Sequence, residues 1–283
     1  MKILKTINEV KSFVSECKSL GKTIGLVPTM GYLHDGHKSL IKTSSAQNDI
    51  TIVSIFVNPT QFGVNEDLDT YPRDLAHDTK VAIDGGATVI FSPSISEMYP
   101  NGYNTYVNVE EITSILCGKS RPIHFRGVAT VVTKLFNITS ANRAYFGQKD
   151  AQQLAVIMRM VADLNINIEI IPCPIIRESD GLAMSSRNTY LSPNQRENAL
   201  VLHKSLDLAT TLYNSNERNI EILKNAIKKT IKSSPIAEIE YIEAVTFPEL
   251  KPCNIINQKT LIALAVKFGE TRLIDNLIID PQA

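Results

Sequence analysis

The chain lacks an excess of charge of either sign. Its 29 lysines and arginines are cancelled by 29 aspartates and glutamates, so no bulk field draws it to DNA, RNA or an anionic membrane. It has neither a basic tail nor a basic patch interleaved with aromatics, which argues against an extended RNA-binding surface. A local basic cluster remains able to hold a small phosphate. Paired cysteines are also missing. Cys17, Cys117, Cys173 and Cys253 are scattered and form no CxxC, which excludes a zinc knuckle and a disulfide framework and reads as reduced, intracellular thiols. The start, MKILKTINEVKSFV, is broken by charge every few residues and lacks the apolar core of a signal peptide. No window approaches the ~18 apolar residues of a membrane span. These absences predict a cytoplasmic protein with no membrane and no nucleic-acid partner. Internal repeats and low-complexity tracts are absent.

Three catalytic fingerprints are missing as well. There is no GxxxxGK[ST], so the chain is not a P-loop enzyme. No GxGxxG follows a strand, which argues against NAD. No serine or cysteine sits in a nucleophile elbow, so acyl-enzyme chemistry has no candidate.

What is present is length and alternation. At 283 residues and 43% hydrophobic content the chain exceeds one domain of roughly 100–200 residues. Apolar residues at Val10, Phe13, Val14, Cys17 and Leu20 predict a helix over Asn8–Leu20, closed by Gly21. Thr23–Val27 and Ile50–Val57 read as buried parallel strands, and Ala87–Ser92 as a third. Helices are expected over Asp35–Ala46, with Asp35 as N-cap, and over Pro72–Ile83, with Pro72 near N1. A helix around Val128–Ile138, a strand Arg143–Gly147, a helix Ala151–Asn165 and a strand Ile166–Ile176 follow. The series predicts an α/β fold: a Rossmann-like parallel sheet with helices on both faces. After Ile176 the pattern changes. One helix after Ser192 with Pro193 at N1, a second after Asn219, and three strands predict a smaller α+β domain. The boundary falls between residues 1–176 and 177–283.

In open α/β sheets, ligands bind beyond the carboxyl ends of the strands. Four polar loops follow four of the predicted strands: PTMGYLHDGH (Pro28–His37), NPTQFG (Asn58–Gly63), QKD (Gln148–Asp150) and RESDGLAMSSRN (Arg177–Asn188). They should converge. His34 and His37 stand three apart among glycines, near a predicted helix start that favours an anion. Zinc would need a third ligand, and His77, His124 and His203 lie in no such loop. Surface histidines in a turn are the plain alternative. Asn58 and Gln61 present amides to a carboxylate or hydroxyl, or simply form an Asn-Pro turn. Lys149 beside a helix start suits nucleotide phosphates, while the plain role for Asp150 is to cap that helix. Ser185, Ser186 and Arg187 offer two hydroxyls and a guanidinium at the domain junction, where a loop can close over a ligand.

With HxGH followed by a later MSSR, the chain resembles the HIGH/KMSKS-type nucleotidyltransferase superfamily. The wider set is PTMGYLHDGH, NPTQFG, TYPRD, GKSRPIHFRGVATVV, FGQKDAQQ and RESDGLAMSSRNTYLS, running in order from Pro28 to Ser192. It resembles the pantoate–β-alanine ligase (pantothenate synthetase) family. That resemblance implies an ATP- and Mg²⁺-dependent ligase that joins pantoate to β-alanine through a pantoyl-adenylate, releasing AMP and diphosphate, and that is a homodimer. It places ATP against Met30, Gly31, Tyr32, Leu33, His34, Asp35, Gly36 and His37, against Gly147, Gln148, Lys149 and Asp150, and against Met184, Ser185, Ser186 and Arg187, with Ile176 near the adenine. It makes His34, His37 and Lys149 catalytic and gives pantoate Gln61, Gln153 and the nearby Asn58. Asp74 and Asp78, after YPR, become candidate Mg²⁺ contacts. Two other readings compete: a nucleotidyltransferase acting on a phosphorylated metabolite, which would share HxGH, and a non-catalytic nucleotide- or RNA-binding module.

Overall fold

The computed structural model describes residues 1–64 and 66–282. Six parallel strands form the large sheet in the order β1-β4-β3-β2-β5-β6. They are β1 (Lys2–Leu4), β2 (Ile24–Thr29), β3 (Ile50–Ile55), β4 (Val89–Phe91), β5 (Arg143–Gly147) and β6 (Glu169–Cys173). The helices between them are α1 (Ile7–Ser19), α2 (Asp35–Gln47), α3 (Leu75–Gly85), the one-turn α4 (Ile95–Met98) and α5 (Cys117–Ser120), α6 (His124–Thr139) and α7 (Ala151–Asp163). From β2 the chain moves outward to β3 and β4; it then returns to the other side of β2 as β5 and β6. The direction of winding therefore reverses between β2 and β5, which opens a crevice at their carboxyl ends. PTMGYLHDGH leaves one of these strands and QKD the other.

The sheet departs from expectation in its first strand. Lys2–Leu4 is three residues long, too short to show a period, and pairs with β4. Helix α3 begins at Leu75 rather than Pro72, because Asp74 is the better cap: its carboxylate accepts the N–H of His77 at 2.9 Å. The single helix expected after Ser192 is two, α8 (Pro193–Ala199) and α9 (Val201–Asn214), meeting at Leu200. Its start is as expected, with a Ser192–Gln195 capping box and Pro193 in the first turn. Asn219 caps α10 (Ile220–Ile231).

The smaller sheet is antiparallel, β7-β8-β9, made of β7 (Ala237–Thr246), β8 (Thr260–Phe268) and β9 (Thr271–Ile279). Its central strand is apolar on both faces because both are covered. Leu261 and Ala263 join the main core with Val245, Phe247 and Leu250. The alternate residues Ile262, Leu264, Val266 and Phe268 pack on Leu202, Leu206, Leu223 and Ile227 of α9 and α10. The C-terminal sheet is thus fused to the core that positions the crevice, and β9 reaches its rim.

Candidate active site

The loop after β2 is shaped from behind by α3. Asp78 is 1% exposed, and its two carboxylate oxygens accept the backbone N–H groups of Tyr32 (3.0 Å) and Leu33 (2.6 Å). The His77 ring nitrogen Nε2 meets the Leu33 carbonyl at 2.8 Å. These contacts hold Gly31 and Tyr32 at positive φ, 88° and 49°. A Cβ on Gly31 would stand 2.9 Å from the Asp78 carboxylate, so the turn needs glycine there. The two candidate Mg²⁺ contacts both have structural bonds in this arrangement. Asp74 caps α3, Asp78 holds the loop, and neither lines the crevice. Among the described residues no group of three His, Cys, Asp or Glu stands ready to hold an ion.

The two histidines cap α2 with each other. His34, not Asp35, is the N-cap. Its Nδ1 accepts the N–H of Gly36 at 3.1 Å, and Nδ1 of His37 accepts the N–H of His34 at 3.3 Å. Gly36 must be glycine because a Cβ would lie 2.8 Å from the His34 ring. The rings stand 4.1 Å apart and tilted 39°. An amide N–H only donates, so each neutral ring carries its proton on Nε2. Burial, and then the Lys149 ammonium, pushes His34 down to about 4. Burial also pushes His37 well below the usual imidazole range, with His34 and Lys149 adding to it. Both are neutral hydrogen-bond donors at pH 7.

A cavity of about 230 Å³ opens beside them, lined by Met30, His34, Gly36, His37, Gln61, Gly147, Lys149, Asp150, Gln153, Ile176 and Met184–Arg187 among others. The four loops do converge. A second cavity of about 610 Å³ adjoins it toward the small sheet, and Lys149, Asp150, Gln153, Ser185 and Arg187 line both. Several expected residues lie elsewhere. Leu33 is core, Tyr32 sits beside His77, Asp35 is exposed, and Gly31 and Gln148 shape turns without lining either cavity. Asn58 is 1% exposed and fully engaged. It donates to Gln61 Oε1 and the Gly127 carbonyl, both at 3.1 Å, and accepts from the Thr60 and Tyr99 hydroxyls. It therefore holds Gln61 at the cavity rather than facing it. Gly127 allows this: a Cβ there would lie 2.4 Å from the Thr60 carbonyl. Asp150 occupies the N-cap position of α7 but bonds no backbone N–H, which leaves its carboxylate at the cavity.

Two basic residues were not singled out from the sequence. Arg121 and His124 sit at the start of α6 and line both cavities. They lie inside the quoted GKSRPIHFRG segment, but that segment follows no strand, so the strand-end rule passes over them. Nδ1 of His124 meets the Gln61 carbonyl at 2.9 Å, and burial beside Arg121 brings it to about 4. Arg121 is held by Glu66, and the neighbouring Asp67 grips Arg187 through two bonds of 2.9 and 3.0 Å. Arg121, Lys149 and Arg187 thus stand at the crevice beside the carboxylates of Glu66, Asp67 and Asp150.

Comparisons with known proteins place the whole chain among relatives. The pantothenate synthetase of Acetivibrio thermocellus is 58% identical over 280 residues, 99% of this chain and 100% of that one. That of Enterococcus faecalis is 56% identical over the full length of both. The crystal structure of the Thermus thermophilus enzyme superposes with a TM-score of 0.94 at 39% identity, covering 99% of this chain and 100% of that one. The Francisella tularensis ligase, solved with beta-gamma ATP and beta-alanine, gives 0.80 at 38% identity over 98% and 97%. A model of the pantoate–beta-alanine ligase family matches residues 2–278, and with these relatives it shows that the chain belongs to that family.

Proposed function

We propose that this enzyme joins the carboxylate of pantoate to the amine of β-alanine with ATP, by way of a pantoyl-adenylate. The observation that carries the reading is the meeting of two Nε2–H donors, Lys149 and the Ser185–Arg187 loop around one cavity at the winding reversal. The absence of an enzyme nucleophile from the sequence suits it, because the substrate carboxylate is the nucleophile. That carboxylate attacks the α-phosphorus, the bond to the β-phosphate oxygen breaks, and diphosphate leaves. Two anions must approach one another, so the protein's work is positioning and charge neutralisation. Lys149 and Arg187 supply positive charge, and His34, His37, Ser185 and Ser186 supply hydrogen bonds. Gln61 and Gln153 offer uncharged amides to pantoate, and Ile176 an apolar wall for adenine. The amine of β-alanine then attacks the acyl carbon and AMP departs. Exclusion of water protects the adenylate. The segment 177–283, a second domain in this reading, supplies the wall on that side.

In this reading Mg²⁺ arrives with the nucleotide, carried mainly by the triphosphate oxygens and water. The proposal keeps the cytoplasmic location and the homodimer that the family resemblance implies. Among the described residues no helix is long and apolar enough to cross a membrane.

Product analysis tests the reading. With ATP, Mg²⁺, pantoate and β-alanine, one AMP and one diphosphate should form per pantothenate. ADP with phosphate would contradict it, as would nucleotide transfer to a phosphorylated metabolite in place of the ligation.

A further inference from the structure

The Lys149 turn carries no side-chain cap of its own: neither Gly147 nor Asp150 bonds a backbone N–H there. An anchor comes from the other sheet. Asn276, on β9 and 5% exposed, donates from Nδ2 to the carbonyls of both Gln148 and Lys149, each at 2.9 Å. Its neighbour Asp275 serves the second loop of the site. The buried Asp275 carboxylate takes two bonds from Arg177, at 2.7 and 3.1 Å, and Arg177 also donates to the Gly181 carbonyl in the loop leading to Met184–Arg187. Asp275 Oδ1 in turn accepts the N–H of Asn276 at 2.8 Å, which locks the two residues together. One dipeptide of β9 therefore ties down the two loops that bring Lys149 and Arg187 to the cavity, 127 and 88 residues away in sequence.

We infer that Asn276 is a positioning residue for the adenylation step: its amide fixes the Lys149 turn so that the ammonium meets the triphosphate where charge develops. This rests on the reading of Lys149 as an ATP contact. A shifted backbone carries the root of the lysine stem with it, and a displacement of about 1 Å is enough to cost about 10²-fold in rate. Asn suits the post because its NH₂ offers two donors from one short stem to two adjacent carbonyls. Aspartate has the same shape but only acceptors, so it would face both carbonyls with repulsion.

The test is pantoate-dependent exchange of diphosphate into ATP, measured in Asn276→Ala, Asn276→Asp, Asn276→Ser and Lys149→Ala, and in the Asn276→Ala/Lys149→Ala double variant, with thermal unfolding alongside. The inference expects kcat of exchange to fall by about 10- to 100-fold in Asn276→Ala and Asn276→Asp. The KM for pantoate should stay within about twofold of wild type, and Asn276→Ser, which keeps one donor, should fall between. In the Lys149→Ala background the Asn276→Ala change should add less than about twofold. An equal loss with or without Lys149, or a lowered melting temperature with full exchange per folded molecule, would overturn it and leave Asn276 as packing between the sheets. If Asn276→Ala does not fold, Asn276→Ser against Asn276→Asp carries the same comparison. Normal exchange by Lys149→Ala would instead remove the ATP reading of Lys149, and the inference with it.

Discussion

Nδ1 of His37 accepts the backbone N–H of His34, 3.3 Å away, while Nδ1 of His34 accepts that of Gly36. The pair spends its inner nitrogens on the helix start and keeps its outer N–H groups for a ligand. The spacing that resembles a metal motif is a reciprocal cap. His37→Ala should therefore lower pantoate-dependent adenylation by about 10²–10³-fold, the loss on removing one preorganised donor. Its cost to stability should stay near the roughly 0.5–2 kcal/mol of a lost cap. Near-normal diphosphate release by a folded His37→Ala protein would contradict the assignment.

Acid should weaken the fold through these same rings. His34 and His124 sit at about 4 in the folded protein, and His37 is also lowered, against an ordinary value of 6.5. The unfolded chain therefore takes up protons first as pH drops below 6.5, and stability is lost from there toward pH 4. For His34 alone the loss amounts to roughly 3 kcal/mol at most. Melting temperature against pH should be flatter for His34→Ala than for wild type over that window; parallel curves would refute it. Because the neutral rings are the working form, adenylation should show no break near pH 6.5. A rate that rises as the rings become charged would favour a proton donor over a neutral one.

Asp78 separates a loop-holding role from a metal-binding one. In Asp78→Asn, one of the two N–H groups of Tyr32 and Leu33 would face an NH₂ and lose its acceptor. An unpaired buried donor costs about 1–3 kcal/mol, readable in urea unfolding. Activity should fall with the displaced His34 loop, while the Mg²⁺ concentration for half-maximal rate stays unchanged. A strongly raised Mg²⁺ requirement in a fully stable variant would return Asp78 to the metal.

Gly127→Ala should act on Gln61 from across the cavity wall. The new methyl would stand 2.4 Å from the Thr60 carbonyl and 2.5 Å from the Gln61 nitrogen, so the loop must move. The expected result is a loss of about 1–3 kcal/mol in stability and a raised KM for pantoate, with ATP binding much less affected. An unchanged pantoate KM would place the substrate elsewhere.

Much of this was legible in the sequence because the signals were local. Apolar runs marked β2, β3 and β4, and the strand-end rule gathered four loops that share one cavity. What escaped was set by contacts across the chain. Asp78 finds its donors 45 and 46 residues away, and Asn58 bonds to Gly127 across 69. The sequence shows neither partner, because both bonds join segments far apart in the chain. Histidine is not a usual capping residue, so Asp35 stood as the N-cap until the Nδ1 contacts placed His34 there. Arg121 and His124 follow no strand and were passed over, and Asn276 sits within an ordinary-looking strand of the other sheet.

The most direct measurement is exchange of labelled diphosphate into ATP by the wild-type enzyme, with pantoate present and β-alanine left out. The account predicts rapid exchange that depends on pantoate, because the adenylate forms and reverts before the amine is needed. Exchange that occurs without pantoate, or that appears only after β-alanine is added, would contradict it.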